Sequence, residues 1–157
     1  MTTKQFDFYI ASGWFSEEQE KARQEILKVL EDFNISEFFN NKHIKYFSPK
    51  DEVICPKDAG TDFQRQVFEG NIRAIRSSRF LIVSTVGKDM GTIFEAGFAS
   101  SLSIPIIYYC PGLKGNFNLM LAQTAVAVAT DEDELKKHIS GILENPFYFS
   151  EYKGDIE

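Results

Sequence analysis

Two short stretches, Phe80–Ser84 and Ile104–Tyr109, are apolar or nearly so throughout instead of alternating apolar with polar residues. A strand with one wet face alternates, so an unbroken apolar run marks a strand covered on both sides, as in a parallel sheet. The segment between them, Thr92–Leu102, has helical character, and the same alternation runs along the whole chain. Strands are expected at Phe6–Ala11, Ile44–Phe47, Phe80–Ser84, Ile104–Tyr109 and Val126–Ala129. Helices are expected to open at Ser16 and to cover about Thr61–Arg76, Thr92–Leu102 and Asp131–Leu143. Strands that alternate with helices predict a doubly wound α/β domain, a mostly parallel five-stranded sheet with helices on both faces.

Local chemistry supports these boundaries. Ser16 and Gln19 have capping-box spacing, with Glu17 and Glu18 at the positive end of the helix dipole. Ala22, Ile26, Val29, Leu30 and Phe33 then recur at helical spacing and give that helix one buried face. Thr61 and Gln64 repeat the capping-box spacing, ahead of a stripe of Phe68, Ile72 and Ile75. Asp131 or a nearby acid is placed to cap the last helix. Ser48–Gly60, with two prolines and mixed charge, reads as a mobile surface loop. Ligands of doubly wound domains bind beyond the carboxyl ends of the strands, so chemistry is expected in Ser12–Ser16, Ser84–Thr92 and Cys110–Met120.

A length of 157 residues suits one domain, 1–157. The formal charge of −6, with Lys and Arg scattered, argues against a nucleic acid partner and for small neutral or cationic ligands. No apolar run approaches the roughly 20 residues of a membrane span. The first residues, Met1–Gln5, carry no apolar signal region, so a cytoplasmic protein is expected. Cys55 and Cys110 are isolated and read as reduced packing residues. His43 and His138 read as surface residues, too few for a histidine-based triad or metal cluster. A phosphate-binding P-loop is absent, and neither metal nor cofactor is expected.

The segment from Asp89 to Ala99 concentrates what chemistry the chain offers. It sets Asp89 in the loop after a buried strand and Glu95 one turn into the next helix. Gly91 permits a tight turn, and Gly97 and Ala99 permit close helix–sheet packing. Glu95 is flanked by Phe94, Ala96 and Phe98, an unusual setting for a surface acid, although a solvated or capping glutamate would read the same way. Tyr9, near the end of the first strand, could reach a carboxylate at the carboxyl edge of the sheet. Trp14, following Ser12-Gly13 in a turn, could present a flat face to a base. Phe15 reads more readily as core.

Taken together, Tyr9-Ile10-Ala11-Ser12-Gly13-Trp14-Phe15, the set Asp89, Gly91, Glu95, Gly97 and Ala99, and Asn118-Leu119-Met120 resemble the nucleoside 2-deoxyribosyltransferases. The order and spacing agree along nearly the whole chain, including an aromatic C-terminal tail (Phe147, Tyr148, Phe149, Tyr152). The resemblance implies a flavodoxin-like fold and exchange of nucleobases on 2′-deoxynucleosides with retention at the anomeric carbon, as in nucleoside salvage. It makes Glu95 the nucleophile, Tyr9 the residue that orients it and Asp89 a substrate-binding carboxylate. The remaining substrate contacts fall at Trp14, Phe15, Asn71, Gly91, Asn118 and Met120, with Asn118 supplied by a neighbouring subunit. A homo-oligomer built from dimers, up to a hexamer, follows, with deoxynucleosides and free nucleobases as the small-molecule partners.

Two positions depart from that pattern. The family carries an aspartate near the base where this chain has Asn71, which puts general-acid help in question, and another where this chain has Arg79. Two other functions compete. One is a 2′-deoxynucleoside 5′-monophosphate N-glycosidase, a group with serines where this chain has Asp89 and Asn118. The other is a nucleoside-sensing domain that has lost its chemistry.

Overall fold

The computed structural model describes residues 3–36 and 43–157. Five strands, β1 (Phe6–Ala11), β2 (Tyr46–Phe47), β3 (Ser78–Ser84), β4 (Ile106–Tyr109) and β5 (Ala125–Ala129), form one sheet. They lie in the order β2-β1-β3-β4-β5, and every pairing is parallel. This is the expected flavodoxin-like α/β sheet, and its order reverses between β1 and β3. The connections leave those two strands in opposite directions, which opens a crevice beyond their carboxyl ends.

Helices α1 (Glu17–Ile35) and α6 (Glu132–Glu144) cover one face, and α3 (Thr61–Arg76) and α4 (Met90–Ser101) the other. Successive side chains of a strand point to opposite faces, so β1 divides its residues between two cores. Phe8 and Ile10 pack with Ile26, Leu30, Leu135 and Ile139, whereas Tyr9 and Ala11 pack with Ile75, Ala96 and Ala99. The stripe expected on α1 is buried as read. On α3 only Ile75 of the expected stripe is fully buried, and Phe68 is 52% exposed.

Most differences from the expected elements have local causes. β2 is shorter than Ile44–Phe47 because the amide side chain of Asn34 takes both backbone groups of Ile44. β4 starts at Ile106 because Ser103 and Ile104 complete the end of α4, with the Ile104 N–H on the Ala99 carbonyl at 3.0 Å. The Thr61–Gln64 capping box does not form. Thr61 is already helical, Gly60 occupies the cap, and Gln64 donates to the Ala59 carbonyl. At α1 the Ser16 hydroxyl does cap, accepting from the Gln19 N–H, and Asp131 caps α6 through the Glu134 N–H.

Ser48–Gly60 is not loop throughout. Its first turn is a short helix, α2 (Pro49–Glu52), fastened by Arg23 of α1. The Arg23 guanidinium is 3% exposed and donates to Ser48 Oγ at 2.9 Å, to Asp51 Oδ2 at 2.8 Å, and to both oxygens of Glu20. Hydrogen bonding to that buried cation pulls the Glu20 carboxyl down to about 2.

A further helix, α5 (Leu119–Thr124), was not expected. His138 is buried rather than on the surface, its Nδ1 2.8 Å from the Tyr148 hydroxyl, where the C-terminal tail folds back over α6. Of the two free cysteines, Cys110 is buried and Cys55 is exposed, so the packing role applies to Cys110 alone. Among the described residues no helix is long and apolar enough to cross a membrane.

Candidate active site

Tyr9 and Glu95 meet at the crevice between β1 and β3. Tyr9 points from β1 toward α4, and its hydroxyl donates to Glu95 Oε1 at 2.6 Å across 86 residues of sequence. Glu95 is on the second turn of α4, with buried Ala96 and Ala99 seating that helix against the sheet. Tyr9 is fully buried and Glu95 half-buried.

Burial governs the ionisation of both groups, because it penalises the charged form. The Glu95 carboxyl is pushed up to about 7 by desolvation, which outweighs the opposing hydrogen bond from Tyr9, and the nearby Asp89 charge adds to the rise. The Tyr9 hydroxyl is held far above its ordinary range by burial first and by Glu95 second. Tyr9 therefore remains a donor at neutral pH, while Glu95 is poised between its acid and its carboxylate. Among the described residues Oε2 of Glu95 accepts no hydrogen bond, which leaves that oxygen free to react.

Asp89 is the N-cap of α4. Its Oδ2 accepts from the N–H and from the hydroxyl of Thr92, both at 2.8 Å. That capping role is additional to the substrate contact expected of it, and it fixes where α4, and so Glu95, begins. Gly91 lies in the first turn, where a Cβ would come to 3.3 Å from Asp89 Oδ2.

Trp14 and Phe15 lie in the loop after β1 with ring centroids 5.0 Å apart. Trp14 is half-buried, but Phe15 is 74% exposed, which overturns its reading as core and leaves its face open. Asn71 is half-buried on α3 and lines a cavity of about 970 Å³ together with Phe47 and Val67. Tyr9 and Glu95 are not among the residues lining that cavity. Asn118 and Met120 are exposed at the start of α5, where Asn118 Oδ1 accepts from the N–H groups of Met120 and Leu121. Within one chain neither side chain hydrogen-bonds to Tyr9 or Glu95. Among the described residues no three His, Cys, Asp or Glu side chains gather so as to hold a metal ion.

Two residues escaped the sequence reading. Phe47, the last residue of β2, stacks on the Tyr9 ring with centroids 5.5 Å apart and planes 11° from parallel. Gln19 is 6% exposed and accepts from the Phe15 N–H at 2.9 Å. Its amide lies where a Cβ on Gly13 would approach to 2.7 Å, and it also fills the space beside Gly87, whose φ is +73°. Gln19 thus joins the loop after β1 to the loop that leads into α4. The signal was present in the sequence: Gln19 is a polar residue on the stripe of Ala22, Ile26 and Val29.

The family model of the nucleoside 2-deoxyribosyltransferases matches residues 8–135. Solved structures share the fold. A 2-deoxyribosyltransferase from the psychrotolerant bacterium Bacillus psychrosaccharolyticus is 24% identical, with TM-score 0.67 over 82% of this chain and 89% of its own. A conserved protein from Enterococcus faecalis is 17% identical, with TM-score 0.68 over 86% and 97%. A CMP N-glycosidase from Clostridium botulinum is 16% identical, with TM-score 0.52 over 85% and 97%. No curated protein matches the chain. The matched segment runs from β1 into α6 and takes in both Tyr9 and Glu95, and the chain belongs to the nucleoside 2-deoxyribosyltransferase family.

Proposed function

We propose that this protein exchanges nucleobases on 2′-deoxynucleosides with retention, through a covalent deoxyribosyl–Glu95 intermediate. The observation that carries this reading is the part-buried Tyr9–Glu95 pair, with one carboxylate oxygen held by the phenol and the other free. The ionised Oε2 attacks the anomeric carbon while the bond to the base nitrogen breaks, through an oxocarbenium-like transition state. The departing base takes the bonding electrons and a proton relayed by Asp89 or water, and the N–H proton of the incoming base leaves by the same route. A second base then attacks the same carbon from the face the first one left, and it releases Glu95 as a carboxylate. Tyr9 holds the nucleophile in line, because a small misplacement is costly. Asp89, through the oxygen not used for capping, Trp14, Phe15 and Gly91 border the sugar and base. Asn118 and Met120 reach the site from a neighbouring subunit, so the working form is a homo-oligomer.

The N-glycosidase of deoxynucleoside monophosphates is the second reading. Asp89 disfavours it, since it is close enough to Glu95 to influence that carboxyl and would repel a phosphate brought to the same crevice. Incubation of the protein with 2′-deoxycytidine and adenine separates the readings. New deoxyadenosine supports the transferase. Cytosine released from the 5′-monophosphate alone supports the N-glycosidase, and binding without turnover supports a sensor.

Asn71 cannot supply a carboxylic proton to the leaving base. Asn71→Asp is therefore expected to raise kcat by about tenfold or more, within the range general-acid help provides. Single-turnover release of base from deoxyadenosine measures this. An unchanged or lower rate would mean that the base receives its proton by another route.

A further inference from the structure

We propose that Gln19 is a positioning residue, whose side chain sets the spacing between the aromatic loop after β1 and the loop that starts the nucleophile's helix. This rests on the transferase reading, and Gln19 acts through Phe15 and Asp89 without touching substrate. A glutamine three residues after a helix N-cap ordinarily folds back onto the backbone N–H of the cap itself. Here the cap is Ser16, whose hydroxyl accepts from the Gln19 N–H at 3.2 Å. Gln19 Oε1 passes that cap and accepts from the Phe15 N–H at 2.9 Å. The bond thus holds the loop of Trp14 and Phe15, one wall of the crevice.

The rest of the amide serves the opposite wall. Gln19 is 6% exposed, and its head fills the space that a Cβ on Gly13 or on Gly87 would need, at 2.7 Å and 2.5 Å. Gly87 opens a pair of residues with positive φ, +73° at Gly87 and +49° at Lys88. A residue such as Lys88 adopts that conformation at a cost, and it persists where the surroundings hold it in place. Asp89 follows directly as the cap of α4, the helix that carries Glu95. The two contacts are separable. The oxygen anchors the aromatic wall that meets the base, and the bulk of the head anchors the turn before the nucleophile.

Steady-state kinetics of Gln19→Met and Gln19→Ala, with 2′-deoxycytidine as donor and adenine as acceptor, test this. Water can replace the lost acceptor at the part-buried Phe15 N–H, so both variants are expected to fold. Methionine keeps the length and bulk but is a poor acceptor, and should raise KM about tenfold with kcat within about threefold of the parent. Alanine removes both contacts and should raise KM equally while lowering kcat by about tenfold or more. Unchanged KM in both variants, or an equal loss of kcat in both, overturns the proposal, because general destabilisation removes active enzyme without separating the two constants. Trp14 is the one tryptophan of the chain, so its fluorescence reports the loop without turnover. Acrylamide quenching of Trp14 should rise about twofold in both variants. Should Gln19→Ala fail to fold, the KM and the quenching of Gln19→Met decide. If the parent turns over no nucleoside, the transferase reading fails, whereas the brace stands if quenching rises in the variants and falls if it does not.

Discussion

Glu95→Gln is expected to abolish base exchange, by on the order of 10⁴-fold or more, and at the same time to make the protein more stable above neutral pH. The first effect follows from loss of the attacking oxygen, since an amide does not form the glycosyl ester. The second follows from the carboxyl being pushed up from its ordinary 4.5 to about 7 in the fold, chiefly by burial. A group raised in this way favours the folded state fully below its unfolded value. That contribution is lost progressively from about 4.5 to about 7, and above 7 the fold carries a desolvated charge. Glutamine is neutral throughout and can still accept from Tyr9. The variant should therefore match the parent near pH 4 and exceed it by about 2 kcal/mol at pH 8, the partial opening of the site trimming the full linkage value. Urea unfolding at the two pH values reads this difference. Parental transfer rates in Glu95→Gln would show that another group is the nucleophile.

Tyr9→Phe is expected to lower kcat/KM at pH 7 by about 10²-fold and to move its acid limb to higher pH. In the parent, activity should fall as pH drops through about 7, because the attacking form is the carboxylate. The hydrogen bond from Tyr9 lowers the Glu95 value against the larger effect of burial. Without it desolvation acts unopposed, a smaller fraction of Glu95 is ionised at pH 7, and the oxygen also loses its tether. Part of the lost rate should return at pH 9, where ionisation is restored, and the remainder measures alignment. A pH–rate profile whose limb stays at the parental position would remove Tyr9 from any role in the charge of Glu95.

The sheet was legible because buried parallel strands write themselves as unbroken apolar runs, and β1 was read to its exact ends. The helices were legible where a stripe was long, as in α1 and α6. Helix α5 was not, since Leu119–Thr124 has six residues, too few for a 3.6-residue period to show. Glu95 stood out as an acid among aromatic and small residues. Tyr9 was legible as a strand-end hydroxyl able to reach a carboxylate, but that Glu95 is its partner came from the family resemblance, because nothing local joins residues 86 positions apart. Phe15 and His138 were misjudged in opposite directions. An aromatic after a strand was counted as core, and a histidine on an amphipathic helix as surface, whereas loop geometry and the returning tail decided otherwise. Gln19 was seen only as a capping partner of Ser16, which hid its inward-facing head.

That head has an evolutionary consequence. The room that a methyl group at position 13 or 87 would need is already taken by the Gln19 amide. A change at any one of the three positions alters what the other two tolerate, although they belong to separate segments of the chain. Natural drift and laboratory libraries alike would have to move through these positions jointly, so alterations of the loop around Trp14 are bound to the sequence leading into the nucleophile's helix.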